Sequence, residues 1–167
     1  IPLMALAAWS RDARAGEGAL KYLVNGAISS ALFLYGIGLL YGMTGSVSFS
    51  VLSQNLTGGW LTAFAAALLI SGIGFKLTLV PFHMWAPDTY EGSPTVVTAY
   101  LSAGSKAAGL AVAFQLFYRV FGGFLLDWSI VVALLAGATM TLGNLAAIAQ
   151  HNLKRFMAYS AISKAGY

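Results

Sequence analysis

The sequence predicts an all-α membrane protein, a polytopic helical bundle with one helix broken inside the membrane. Hydrophobic residues make up 59% of the chain and charged residues 8%, with a mean hydropathy of +0.78. Soluble domains carry about a quarter charged residues, so there are too few charges here to coat a globular surface. The apolar residues gather in runs of about 20 or more, the length that crosses ~30 Å of hydrocarbon. One such run holds Lys76, Pro81, His83 and Pro87 together. Lipid tolerates a broken backbone and ionisable groups only where protein or a water-filled cavity surrounds them.

The elements follow in order. Ile1 to Trp9 reads as the last turns of a span, closed by Ser10-Arg11-Asp12. The first full span runs from about Leu20 to Tyr41 and ends at Gly42-Met43-Thr44-Gly45-Ser46. The second starts near Trp60 and continues through Lys76 to about Pro87. Written as one helix, the 27 residues from Leu61 to Pro87 would reach about 40 Å, longer than the hydrocarbon core. Pro81 removes a backbone donor and clashes with the preceding turn, so a discontinuous helix broken near residue 81 is expected. The third span runs from about Pro94 to Phe121, with Ser93 as N-cap and Pro94 at the first helical position. The fourth runs from Trp128 to about Ile148, with Asp127 as N-cap. Residues 156–167 begin a further helix too short to cross.

The expected organisation is therefore an internal fragment of one transmembrane domain. It comprises spans 20–41, 60–87, 94–121 and 128–148 between partial spans 1–9 and 156–167. There is no initiator methionine, and no charged leader precedes a short apolar core, so no signal peptide is read.

Charge sets the orientation. Arg11, Arg14, Lys21, Lys154 and Arg155 fall on one side and Arg119 on the other. The five-residue side is expected to be cytoplasmic or its equivalent. The alternation works only with four full spans. The net charge of +4 reflects these loops rather than an acidic partner, and nucleic acid is not an expected partner. The chain contains no cysteine, which excludes disulfides, thiolate metal sites and Cys-ligated iron–sulfur clusters within it. No Gly-rich nucleotide loop is present, and neither cofactor nor metal is expected in this chain. Gly36, Gly38, Gly42, Gly72 and Gly74 suit close helix packing in lipid.

The ionisable residues inside the spans carry the functional reading. Lys106 sits about ten residues into its run, too deep to snorkel easily, and a central lysine costs roughly 3 kcal/mol on insertion scales. Either it is a structural lysine paired with a carboxylate or carbonyl on a neighbouring helix, or it titrates and passes a proton. Lys76 has the same choice, with Pro81 freeing nearby backbone groups to hold water. His83 is either a relay or an interfacial residue beside Trp85. Lys164 falls about 12 Å along its helix from Phe156, and is a further candidate relay or a snorkelling lysine. Asp88 and Glu91 read as turn and cap chemistry before Gly92-Ser93-Pro94, and Arg11, Asp12 and Arg14 as a solvated loop. Glu17 and Lys21 have the spacing of a helical ion pair. Asn25 and Asn144 are expected to bond across helices.

At these residues the chain resembles a known family. The string GFKLTLVPFHMWAPDTYEGSP from Gly74 to Pro94, continued by Thr95 to Ser102 and by Ser105-Lys106-Ala107-Ala108-Gly109, is similar to subunit N of bacterial respiratory complex I. Its relatives include mitochondrial subunit 2 and the plastid and cyanobacterial B subunit. Glu17 to Tyr22, Tyr35-Gly36, Leu40-Tyr41-Gly42, Gly143-Asn144-Leu145, Asn152 to Arg155 and Tyr159-Ser160 extend the match to nearly the whole chain. Paralogous subunits and cation/proton antiporters share the PFH-x-W-x-PD core but usually differ around Lys106.

The resemblance implies an antiporter-like fold of about fourteen helices with two inverted repeats. This chain would cover the end of the fifth helix to the start of the tenth, and the seventh would be the discontinuous one. It implies that Lys76 is the central protonatable group beside the break, and that Lys106 links it to a lysine on the twelfth helix. A glutamate on the fifth helix would partner Lys76, and both of those residues lie outside this sequence. Family members often carry His or Gln at the position of Lys164, so the resemblance assigns it no role.

The implied function is proton translocation by a membrane-arm subunit of an NADH:quinone oxidoreductase. Other subunits would use NAD and quinone, and this chain would perform no redox catalysis. Its partners would be other membrane subunits of the complex and the bilayer. The implied location is the bacterial plasma membrane, with the thylakoid or mitochondrial inner membrane as alternatives. The competing readings are a subunit of a multi-subunit cation/proton antiporter and a non-transporting scaffold. Sodium transport would favour carboxylates inside the spans, and none is seen. Two central lysines are a costly feature in a scaffold.

Overall fold

The computed structural model describes residues 8, 9 and 12–167, with the backbone alone for 124–127. The expected partial span over residues 1–9 and the loop residue Arg11 therefore lie largely outside the described residues. Every described element is helical and no strand occurs among them.

Helix α1 spans Ala13–Thr44, α2 Phe49–Asn55 and α3 Trp60–Leu77. After a non-helical stretch come α4 over Ala86–Gly92 and α5 over Thr95–Gln115, which runs on as a π-helical turn, Leu116–Val120. A short 3-10 turn, Gly122–Phe124, leads into α6 over Leu125–Ile148, and α7 covers Leu153–Gly166. Among the described residues four stretches are long and apolar enough to cross a membrane: 13–44, 60–77, 95–120 and 128–148. Large apolar side chains stand exposed along them, Leu34, Leu134 and Leu145 among them, as lipid-facing surfaces require.

The boundaries differ from expectation where local chemistry intervenes. Helix α1 starts at Ala13 rather than Leu20, because Ala- and Glu-containing residues 13–19 sustain helix outside the purely apolar run. Helix α2 is an unexpected element. Its Leu52 and the following Leu56 join Leu40, Leu69, Phe117, Val120 and Phe121 in one apolar core. Helix α5 begins at Thr95, with Pro94 extended at the cap position (φ −56°, ψ 146°). The Pro94 carbonyl accepts from the Thr98 amide at 3.1 Å. Ser93 instead closes α4, its amide donating to the Thr89 carbonyl at 3.0 Å. Asp127 is not an N-cap, since α6 already begins at Leu125. Helix α7 starts earlier than Phe156 because the Asn152 side chain accepts from the Lys154 amide and caps it.

A second core lies under the broken region. Phe75, Trp85, Tyr90, Leu101, Ala158 and Ile162 pack together there. Tyr22 of α1 closes the group, its ring centroid 5.0 Å from that of Trp85. This aromatic cluster holds α3, α4 and α1 around the break. Glycines supply close approaches: a Cβ on Gly72 would meet Phe33 Cβ at 2.5 Å, and one on Gly143 would meet the Ser163 backbone at 2.7 Å. Gly38 and Gly42, expected at packed faces, have nothing within 4 Å of such a Cβ.

Candidate functional site

The break is built by residues 78–85. Helix α3 stops after Leu77 because Thr78 takes the left-handed conformation (φ 60°, ψ 36°). The Leu79 amide then reaches back to the Gly74 carbonyl at 2.8 Å and the Thr78 amide to Phe75 at 3.2 Å. These bonds satisfy helix-end carbonyls in the manner of a Schellman motif, with threonine where glycine is usual. The Val80–Pro81 peptide is cis. Helix α4 then resumes with Pro87 in its first turn.

Lys106 is buried, at 8% exposure. Its Nζ donates to the Ala161 carbonyl of α7 at 2.5 Å. This is the carbonyl partner of the structural alternative, yet it does not decide the charge state, since a neutral amine also retains N–H donors. Among the described residues no carboxylate pairs with Lys76, Lys106 or Lys164. Lys106 and Lys164 line one cavity of about 870 Å³, together with Leu77, Tyr90, Ser102 and Ser160. Lys76 is exposed and lines a different cavity of about 560 Å³ with Ser29, Ser30, Tyr100 and Ser105.

The two central lysines are nevertheless neighbours in the fold. A Cβ placed on Gly109 would lie 3.0 Å from Leu77 Cδ2 and 3.4 Å from Lys76 Cβ. Lys106 precedes Gly109 by three residues on α5, the spacing of adjacent positions on one helix face. Leu77 lines the Lys106 cavity and Gly109 the Lys76 cavity, so their contact lies between the two. His83 is half-buried in the broken stretch and lines neither of these cavities.

Sequence reasoning missed a charged hub at the other end of α4. Asp88 accepts from Lys21 and from Arg155, each at 2.6 Å. Glu91 takes Arg155 at 3.0 Å, Arg14 at 3.3 Å and the Asn152 amide at 3.0 Å. Lys154 donates to the Ser93 carbonyl at 2.9 Å and to that of Glu91 at 3.3 Å, placing a cation at the C-terminal end of α4. Burial pushes the Asp88 carboxyl upward, but the hydrogen bonds from Lys21 and Arg155 outweigh it and hold it below its ordinary value. Glu91 and Asp88 in turn raise Arg155.

Asp88 and Glu91 are thus ion-pair centres as well as turn residues, and Arg14 is not simply a solvated loop charge. Glu17 and Lys21 do pair, at 2.6 Å. Asn144 bonds across helices, accepting from Ser163 at 2.8 Å, whereas Asn25 donates to the Lys21 carbonyl of its own helix. The one visible signal for the hub was that four basic residues of one expected face, Arg14, Lys21, Lys154 and Arg155, shared that face with Asp88 and Glu91.

Comparison with known proteins decides the family. The family model for NADH:quinone oxidoreductase/Mrp antiporter transmembrane subunits matches residues 1–167. The chain belongs to this family. It is 53% identical over 163 residues to NAD(P)H-quinone oxidoreductase subunit 2 of Microcystis aeruginosa, covering 94% of this chain and 32% of that one. It is 49% identical over 160 residues to F(420)H(2) dehydrogenase subunit N of Methanosarcina mazei, with the same two coverages. In solved structures, a chain of respiratory complex I from Thermus thermophilus matches at 44% identity and a TM-score of 0.86, covering all of this chain and 36% of that one. The chain thus spans about a third of the length of the curated relatives it matches. Within the family it is a membrane-embedded segment with the antiporter-like fold.

Proposed function

We propose that this chain is the proton-translocating part of a membrane-arm subunit of a complex I-type quinone oxidoreductase. Lys76 and Lys106 form the core of the relay, and Lys164 and His83 are further candidates along it. One observation carries the reading: Lys106 is a buried amine with no carboxylate partner among the described residues, one turn along α5 from Gly109, which packs against Lys76 in the last turn of α3. A buried amine without a counter-ion is poised to exchange a proton. Neighbouring amines repel when both are charged, so in this reading protonating one favours release from the other. Lys164 in the Lys106 cavity extends the row towards α7.

Electron transfer falls to other subunits, where NAD and quinone would be used. The named relatives carry different donors, F(420)H(2) and NAD(P)H, at nearly equal identity, as expected of a shared membrane module whose donor site lies elsewhere. Its partners in this reading are other membrane subunits and the bilayer.

The test is Lys76→Ala in the full-length subunit of the assembled complex, with proton pumping measured in inverted membrane vesicles. Pumping should fall strongly, and Lys76→Arg should be nearly as damaging because guanidinium does not deprotonate in proteins. A normally assembled Lys76→Ala complex that pumps fully would return this lysine to a structural role.

A further inference from the structure

Two hydroxyls frame the end of α3. Thr78 is fully buried and β-branched, yet sits at φ 60°, a conformation such residues adopt only where the surroundings impose it. Its hydroxyl turns back onto the Leu77 carbonyl at 2.6 Å, a local bond that ties it to no other helix. Beyond the bonds to the flanking α3 and α4, one hydrogen bond among the described residues joins residues 78–85 to another helix. The Val80 amide donates to Thr139 Oγ1 on α6 at 3.0 Å. Thr139 is itself fully buried, and its single hydroxyl proton goes to the Leu135 carbonyl at 2.5 Å. Its lone pair is therefore left for Val80, and the acceptor role is set by geometry.

Without Thr139 the amide of the half-buried Val80 would lose its partner, a cost that a reshaped turn or an admitted water would relieve. The turn it would reshape lies two residues after Lys76. Helix α6 also packs on α7, through Asn144 and Ser163, and α7 holds the carbonyl partner of Lys106 and carries Lys164. We infer that Thr139 is a positioning residue for Lys76: its hydroxyl fixes the left-handed turn that ends α3, and with it the direction in which the Lys76 amine leaves the helix.

This inference rests on Lys76 being a proton carrier. Lys76 shares its cavity with Ser29 and Ser30 of α1 and Tyr100 and Ser105 of α5, and Lys106 precedes Gly109, which packs against Lys76, by one turn of α5. A change in the direction of Lys76 alters its distance from each of them. Its proton exchange, and not merely the stability of the fold, should respond.

The experiment compares Thr139→Val, Thr139→Ala, Thr139→Ser and Lys76→Ala in the full-length subunit of the assembled complex. Protons moved per electron, and the pH profile of pumping, are read in inverted vesicles. Thr139→Val, which keeps the shape and removes the acceptor, should lower the proton-to-electron ratio and displace the pH profile, and Thr139→Ser should restore both. A purely structural role would reduce the amount of complex while leaving ratio and profile unchanged. Wild-type ratio and profile in Thr139→Val, beside lost pumping in Lys76→Ala, would overturn the positioning role and leave the relay standing. Full pumping by Lys76→Ala would instead remove the relay, and this inference with it. If Thr139→Val does not assemble, the Ala and Ser variants, which differ only in the hydroxyl, decide: equal profiles overturn the proposal.

Discussion

Arg155 Nη1 lies 2.6 Å from Asp88 Oδ1 and reaches Glu91 Oε2 at 3.0 Å with the same nitrogen. Through this contact α7 grips the short helix that follows the break, while Lys21 grips Asp88 from α1. The broken span is therefore held at both of its interruptions: by aromatic packing at Trp85, and by ion pairs at α4.

Asp88→Asn should loosen that grip. The side chain keeps its shape but loses two charge-assisted bonds, each worth about 1.5–3 kcal/mol when desolvated and less here because Asp88 is partly exposed. Thermal unfolding of the purified full-length protein in detergent should shift down by a few degrees. An unchanged midpoint would show that solvent screens the hub completely.

Acid should reproduce the effect. Because Asp88 is held below its ordinary value of 3.8, its pairs contribute fully above that value and are lost as pH falls through the lower, folded-state one. Arg155 stays charged throughout. The wild-type unfolding midpoint should fall on acidification below about pH 4, more steeply than that of Asp88→Asn. Identical slopes for the two proteins would remove Asp88 from the acid response.

Gly143→Ala should weaken the α6–α7 packing. The added methyl would meet Ser163 N at 2.7 Å and Ser163 Cα at 2.8 Å, backbone atoms that cannot rotate away. Overpacking of this kind costs about 1–3 kcal/mol and would also strain the Asn144–Ser163 bond. The readout is the yield and thermal midpoint of the variant, and wild-type values for both would mean the helices separate freely.

Lys106→Met tests the buried amine. It removes the donor to the Ala161 carbonyl while keeping an apolar side chain of similar length, so the subunit should still assemble. Proton pumping should drop several-fold. Lys106→Arg should fail to restore it, since a permanent charge cannot alternate. Full pumping with methionine would make the Ala161 contact the whole purpose of Lys106.

The sequence by itself determined the membrane class, the four spans, the break near Pro81 and the ionisable residues inside apolar runs. Each of these is written locally. A run of apolar residues needs no partner to be recognised, proline disrupts a helix interior whatever packs around it, and a lysine in lipid is conspicuous by its cost. The Glu17–Lys21 pair was legible for the same reason, being one turn apart on one helix.

Tertiary structure alone decided what those residues meet. The Ala161 carbonyl reaches Lys106 from 55 residues away, Lys164 shares its cavity, and Thr139 holds Val80 from 59 residues away. Asp88 and Glu91 became ion-pair centres only when α1 and α7 were laid against α4. Helical spacing constrains neighbours within a turn or so and says nothing of which helix packs alongside. That choice belongs to the close approaches at Gly72, Gly109 and Gly143, and they appear only once the chain has folded.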